Sequence, residues 1–160
     1  MSASESWSTQ REALAVEALR RTGRLRLRVR GESMLPALWP GDVAEIAACS
    51  LRDVRHGEIV LAFREGRFFL HRFLARREHD GFLTRGDSMP SPDPVFPADA
   101  LLGKLIGVVR MGQTVSAPLR PWSRVVGMLL CYCSFARRAA LRFHSSRNSR
   151  RLPVADLETA

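Results

Sequence analysis

Apolar and charged residues alternate strictly over residues 24–30, whose sequence is RLRLRVR. Because successive side chains of a strand point to opposite faces, the two leucines and the valine share one face and the four arginines share the other. This pattern predicts a half-buried β-strand. Just before it, residues 9–22 carry apolar residues at helical spacing, and Gly23 can end a helix. The pattern therefore predicts a helix over residues 9–22, within an N-terminal helical segment of residues 1–23.

Short apolar segments separated by glycine-containing turns fill the middle of the chain. They are EIVLAFR, FFLHRFLAR, FLTR and LLGKLIGVVR, at residues 58–64, 68–76, 82–85 and 101–110. The first three segments are typical of an antiparallel meander, and the fourth is a candidate for a final strand. Four prolines within residues 88–99 predict an extended loop between the last two segments. We therefore expect a mainly β fold (β-rich α+β), with residues 24–117 as the principal domain.

Positive charge is concentrated at the end of the chain. The formal net charge is +9, and residues 118–160 hold eight arginines against two acidic residues. The apolar run VVGMLLCYCSFA, with arginines on both sides, predicts a basic amphipathic helix followed by a disordered tail. The run has 12 residues, so as a helix it is too short for a bilayer core of roughly 30 Å. Two interpretations stay open: peripheral contact of residues 120–142 with anionic head groups, or packing against protein.

Several classes of protein do not fit the composition. Three cysteines without regular spacing do not indicate a disulfide framework, and the Cys131–Cys133 pair has no second metal-binding pair nearby. We therefore expect neither a metal nor a cofactor. The first residues lack the basic and apolar regions of a secretory signal, so the expected location is the cytoplasm, with peripheral attachment to the cytoplasmic face of a membrane under the first interpretation above.

The most informative segment is GESMLPALWPGD at residues 31–42. It follows the predicted strand and is rich in turn-forming glycine and proline, so Ser33 lies where a side chain can project from a rigid scaffold. Taken alone, a serine in such a segment is typical of a turn or a helix N-cap.

The whole segment, however, resembles the nucleophile segment of signal peptidase I and of LexA-type self-cleaving repressors, in which Gly-x-Ser-Met-x-Pro precedes Gly-Asp. The matching residues are Gly31, Ser33, Met34, Pro36, Leu38, Gly41 and Asp42. The resemblance implies a signal peptidase/LexA-like β fold in which Ser33 attacks the scissile carbonyl. It also implies that backbone N–H groups at or beside Ser33 hold the oxyanion and that Met34 packs beside the site. From the residue alone, Met34 is equally well interpreted as a buried core methionine.

A serine hydroxyl needs a neighbouring base. In this superfamily the base is most often a lysine, but the corresponding position, 38 residues after Ser33, is His71. The chain thus resembles the endoplasmic-reticulum and archaeal type, which uses a Ser–His arrangement. Lys104, the chain's only lysine, resembles part of the closing strand instead. Strand alternation places His71 on one face with Phe69 and Phe73, where a histidine without the Ser33 segment would be read as a core residue.

The third candidate group lies in TRGDSMPSPD at residues 84–93. Signal peptidases carry a Gly-Asp segment here, and the Ser–His members have a second aspartate six residues later, a spacing that Asp87 and Asp93 reproduce. The resemblance implies that Asp93 orients His71 while Asp87 supports the loop. From the residues alone, either aspartate could orient His71, and either could be a simple turn former.

Together these motifs predict a serine endopeptidase that processes a protein or peptide precursor through Ser33, His71 and Asp93. A self-cleaving LexA-type regulator is one alternative, but about 30 residues before the nucleophile segment leave no room for a helix-turn-helix domain, and a nucleic-acid partner is not expected. A non-catalytic binding module on the same fold is the other alternative. The sequence leaves the substrate and the oligomeric state open.

Overall fold

The computed structural model describes residues 3–115, with side chains from residue 12 onward. These residues form one α-helix, two short 3₁₀ helices and one eight-stranded antiparallel sheet, so the predicted mainly β fold class is confirmed. The elements are α1 (Ala3–Thr22), β1 (Arg24–Arg28), β2 (Val43–Ala48), β3 (Ile59–Arg64), β4 (Arg67–Arg77), β5 (Gly81–Arg85), β6 (Phe96–Pro97), β7 (Leu101–Arg110) and β8 (Gln113–Val115). The predicted C-terminal helix and tail lie outside the described residues.

The strand order in the sheet is β1-β2-β7-β3-β4-β5-β6, and β8 pairs with the end of β7. Strands β3, β4 and β5 form the predicted meander, joined by tight turns. Strand β7 returns across the sheet and inserts between β2 and β3. This return brings the N-terminal strand pair, which leads into Ser33, into one sheet with the strand that carries His71.

Several element boundaries differ from the sequence prediction. Helix α1 begins at Ala3 rather than at residue 9, and no proline or glycine interrupts the added residues. Strand β2 was not predicted, because its sequence VAEIAA is rich in alanine, a weak strand former. The proline-rich segment 88–99 contains the short strand β6, and β8 was also not predicted. The other strands lie within two residues of their predicted ends.

Both faces of the central strands are buried. On β3, Val60 and Ala62 point into one apolar cluster, which also contains Phe73, Phe82 and Phe96. The alternate residues of β3 point to the opposite face. There they meet two further clusters, formed by the segment after β1 and by Leu19 of α1, among other residues. Within residues 3–115, no helix combines the length and the apolarity needed to cross a bilayer.

Candidate active site

Ser33 lies in a closed loop between β1 and β2. The backbone N–H of Val29 donates to the Asp42 carbonyl at 2.8 Å, and the Gly41 N–H donates to the Val29 carbonyl at 2.8 Å. These two bonds continue the β1–β2 pairing and fix both ends of the loop. Ser33 therefore projects from a segment whose start and finish are held by the sheet.

The loop is also anchored from inside. Asp42 is almost fully buried, and its carboxylate accepts hydrogen bonds from the Trp39 N–H and from the Arg110 guanidinium at 2.7–2.9 Å. Met34, next to the serine, is buried in an apolar cluster with Leu38 and residues of the sheet. Met34 is thus a core residue that directly follows the nucleophile candidate. Its burial ties the backbone directly after Ser33 to the core.

The three residues predicted to be catalytic lie in hydrogen-bond contact. His71 Nε2 is 2.8 Å from Ser33 Oγ, and His71 Nδ1 is 2.7 Å from Asp93 Oδ2. The His71 and Asp93 side chains are 10% and 15% exposed, so both are largely shielded from water. The ring of Phe69 approaches the imidazole edge-on, with centroids 6.1 Å apart. A serine, a histidine and an aspartate that are distant in sequence therefore form one continuous chain of hydrogen bonds.

Asp93 has a second partner that sequence reasoning missed. Thr84 is buried, and its hydroxyl donates to Asp93 Oδ2 at 2.6 Å, while the Asp93 N–H donates to the Thr84 carbonyl at 2.9 Å. The pairing of Phe73 with Thr84 puts Thr84 on the face of the sheet that His71 occupies. The sequence did hold a signal for this contact. The alternation of FLTR places the Thr84 hydroxyl on the same inward face as Phe82, and a buried hydroxyl needs a hydrogen-bond partner.

The hydrogen bond to Asp93 determines which nitrogen of His71 carries the proton. An ionised carboxylate only accepts hydrogen bonds, so a neutral imidazole beside it must donate from Nδ1. The Nε2 atom is then left with its lone pair toward Ser33 Oγ. In this tautomer the imidazole can accept the hydroxyl proton of Ser33.

Asp87 does not contact His71 and lies instead in a buried ion pair. Its two carboxylate oxygens accept hydrogen bonds from Arg72 Nε and Nη2 at 2.7 and 2.6 Å. A third bond, from Arg72 Nη1 to the Gly57 carbonyl, satisfies the remaining side of the guanidinium. The side chains of Arg72 and Asp87 are only 6% and 4% exposed. The structure thus separates the two aspartates: Asp93 meets the imidazole, and Asp87 holds its loop to the strand of His71.

The loop that carries Asp87 also holds the backbone of the nucleophile. The Ser88 N–H donates to the Ser33 carbonyl at 2.9 Å, and Ser88 Oγ donates to the Glu32 carbonyl at 2.8 Å. Gly86 approaches so closely that an added Cβ would lie 2.6 Å from the Ser33 carbonyl oxygen. Gly86 and Ser88 are thus further residues that position Ser33. This positioning role could not be predicted from the sequence, because it depends on a contact between two loops that are distant along the chain.

Other candidate bases and nucleophiles among the described residues are hydrogen-bonded elsewhere, partly buried or exposed in turns. Lys104 Nζ bonds to the Asp53 carbonyl at 2.9 Å and to the Glu58 carboxylate at 3.1 Å. Burial raises the pKa of the Cys49 thiol, which favours its unreactive protonated form at neutral pH. His56 and His79 are exposed in turns, and His144 lies outside the described residues.

Replacing Asp87 by Asn should destabilise the protein, because it leaves the Arg72 charge buried without a counter-charge. Breaking a buried pair in this way typically costs about 3–5 kcal/mol. Urea unfolding at neutral pH would measure the loss, with Asp99→Asn at an exposed position as the matched control. Equal unfolding free energies for the two variants would contradict the structural role of Asp87.

Comparison with protein-family models gives no match for the chain, and comparison with curated proteins gives none either.

Proposed function

We propose that the chain is a serine endopeptidase that hydrolyses a peptide bond in a protein or peptide precursor. The observation that carries the proposal is the hydrogen-bonded chain from Ser33 through His71 to Asp93, with contacts of 2.8 and 2.7 Å. A hydroxyl, an imidazole and a carboxylate in this order are the parts that nucleophilic acyl transfer requires. The resemblance of the Ser33 segment to signal peptidase I and LexA-type proteins supports peptide bonds as the substrate class.

In the proposed mechanism Ser33 Oγ attacks the scissile carbonyl while its proton passes to His71 Nε2. The resulting imidazolium donates that proton to the leaving amine as the peptide bond breaks. Water then attacks the acyl ester on Ser33 and gives a proton to His71. The imidazolium passes that proton to Ser33 Oγ as the ester bond breaks and the carboxylic acid product leaves. Asp93 holds the imidazole in the required tautomer and stabilises its positive charge in both steps.

The oxyanion formed in each step needs hydrogen-bond donors. Ser33 and Met34 lie outside the helices and strands. Among the backbone hydrogen bonds of the described turns and loops, neither of their N–H groups is a donor. We assign them to the oxyanion, because they lie at and directly after the nucleophile. Their positions are fixed by the burial of Met34 and by the Ser88 bond to the Ser33 carbonyl. Donors held rigidly in this way stabilise developing charge without reorganisation.

A fluorophosphonate probe tests the proposal without knowledge of the substrate, because it forms a bond only with an activated serine. The full chain should be labelled at Ser33, as located by mass spectrometry of the modified peptide, and Ser33→Ala should not be labelled. A binding module that lacks catalysis would show no labelling. Absence of labelling in a correctly folded protein would overturn the proposed function.

A further inference from the structure

The strand that leads into the candidate site carries an unusual concentration of arginine. Residues 20–30 contain six arginines and no acidic residue. On β1, Arg24, Arg26 and Arg28 point to one face and are exposed, and the exposed Arg30 continues the alternation. We call these four residues the arginine row. Alternate residues of a strand are roughly 6.6–6.8 Å apart, so the row places several positive charges close together.

The positive charge of the arginine row has little counter-charge beside it. Within the described residues, its one ion pair joins Arg26 to Glu45 of the neighbouring strand at 2.6 Å, and the Arg26 side chain is still 75% exposed. Asp42, the next acidic residue on the β1–β2 pair, is buried and committed to Arg110. A group of like charges with a single counter-charge produces a positive potential that attracts anions.

Helix α1 does not cover the row. The alternate residues of β1, Leu25 and Leu27, point to the opposite face and pack in the cluster that contains Leu19 of the helix. The C-terminal segment of the chain is a poor occupant of the row, because residues 118–160 carry eight arginines and two acidic residues. Like charges would repel the two. The row therefore fits a partner from outside the chain, and that partner is anionic.

Protection of a sheet edge accounts for part of this pattern. Strand β1 is the terminal strand of the sheet, and charged side chains on such strands disfavour pairing with other chains. Protection alone, however, requires only that some side chains on the edge strand are charged. It does not explain why every charge in residues 20–30 is positive.

We propose that the arginine row is a docking surface for an anionic phospholipid membrane. Clusters of four to eight basic residues bind anionic head groups, and guanidinium groups can bond phosphate oxygens in pairs. Residues 20–30 contain no aromatic side chain on which nucleic-acid bases could stack, which disfavours single-stranded nucleic acid. The apolar run at 125–136, flanked by arginines, gives the same chain a second element suited to a membrane interface.

This surface has a consequence for the candidate site. Ser33 follows Arg30 by three residues, so docking through the row would hold the nucleophile close to the head groups. A precursor that is itself attached to the membrane would then be the favoured substrate. That consequence rests on the proposed peptidase function, whereas the docking surface does not.

Vesicle flotation of the full chain tests the surface in the absence of any substrate, so its outcome is independent of catalysis. The wild-type chain should float with phosphatidylcholine–phosphatidylglycerol vesicles at low salt, less at high salt, and not with phosphatidylcholine alone. The triple variant Arg24→Gln, Arg26→Gln, Arg28→Gln should partition about 100-fold more weakly. Exposed arginines elsewhere supply a control of equal charge: Arg52→Gln, Arg55→Gln and Arg67→Gln.

A gain-of-binding variant guards against simple misfolding as an explanation. Glu45→Gln removes the counter-charge of the row and should strengthen partitioning about fivefold. The proposal is overturned if the row variant partitions as the control triple does, or if Glu45→Gln does not strengthen binding. It is also overturned if wild type floats equally with neutral vesicles, or binds an oligonucleotide in preference to anionic vesicles.

Discussion

Ser33→Ala and His71→Ala should each abolish cleavage, with kcat/KM falling by about 10⁶-fold for either change. Without Ser33 Oγ there is no nucleophile to form the acyl-enzyme. Without His71 the hydroxyl, held 2.8 Å from Nε2 in the wild-type protein, keeps its proton and remains a weak nucleophile. Once the natural precursor or a cleaved peptide is in hand, single-turnover assays on folded variants would measure both losses.

The double variant tests whether the two residues act as one unit. Combining Ser33→Ala with His71→Ala should lower the rate little beyond either single change, because each already removes the same step. Ser91→Ala and His56→Ala alter the same residue types at exposed positions and should leave cleavage unchanged. Efficient cleavage by a folded Ser33→Ala protein would exclude this mechanism.

Local patterns predicted most of the sheet, because alternation of apolar residues is a property of each segment by itself. The meander of β3, β4 and β5 could be predicted in this way. The position of β7 between β2 and β3 could not, since it depends on which strands meet after the chain returns. Strand β2 escaped prediction for a different reason: its inward residues, Ala44 and Ile46, are fully buried, but its alanines give little strand signal.

The residues of the candidate site likewise fall into two groups, those that the sequence indicates and those that only the fold reveals. Ser33, His71 and Asp93 were predicted from short motifs, whose residue types and spacing resemble those of a known superfamily. Thr84 and Ser88 were not, because their roles arise from contacts between segments that only the folded sheet brings together. The choice between the two aspartates likewise needed the fold. Arg72 follows His71 directly, and strand alternation sends its guanidinium to the opposite face, where it pairs with Asp87.

Asp93→Asn should lower kcat by about 10⁴-fold, the effect seen when the aspartate of a Ser–His–Asp triad loses its charge. In the wild-type site Asp93 Oδ2 accepts from both His71 Nδ1 and the Thr84 hydroxyl. An asparagine that turns its NH₂ toward His71 forces the proton onto Nε2, which then cannot accept from Ser33. An asparagine that presents its oxygen keeps the tautomer but no longer stabilises the imidazolium. Either orientation slows the chemical step.

The distribution of the loss between kcat and KM separates this role from a structural one. We expect KM and the unfolding free energy of Asp93→Asn to stay close to wild type, because size and most hydrogen bonds are retained, while kcat and the fluorophosphonate labelling rate fall together. Thr84→Val is a milder variant, because it removes one hydrogen bond to Asp93 but keeps the charge. Its kcat should be about tenfold lower than that of wild type. If Asp93→Asn retains activity within tenfold of wild type, the working unit is the Ser33–His71 dyad, and Asp93 serves only to hold its loop to Thr84.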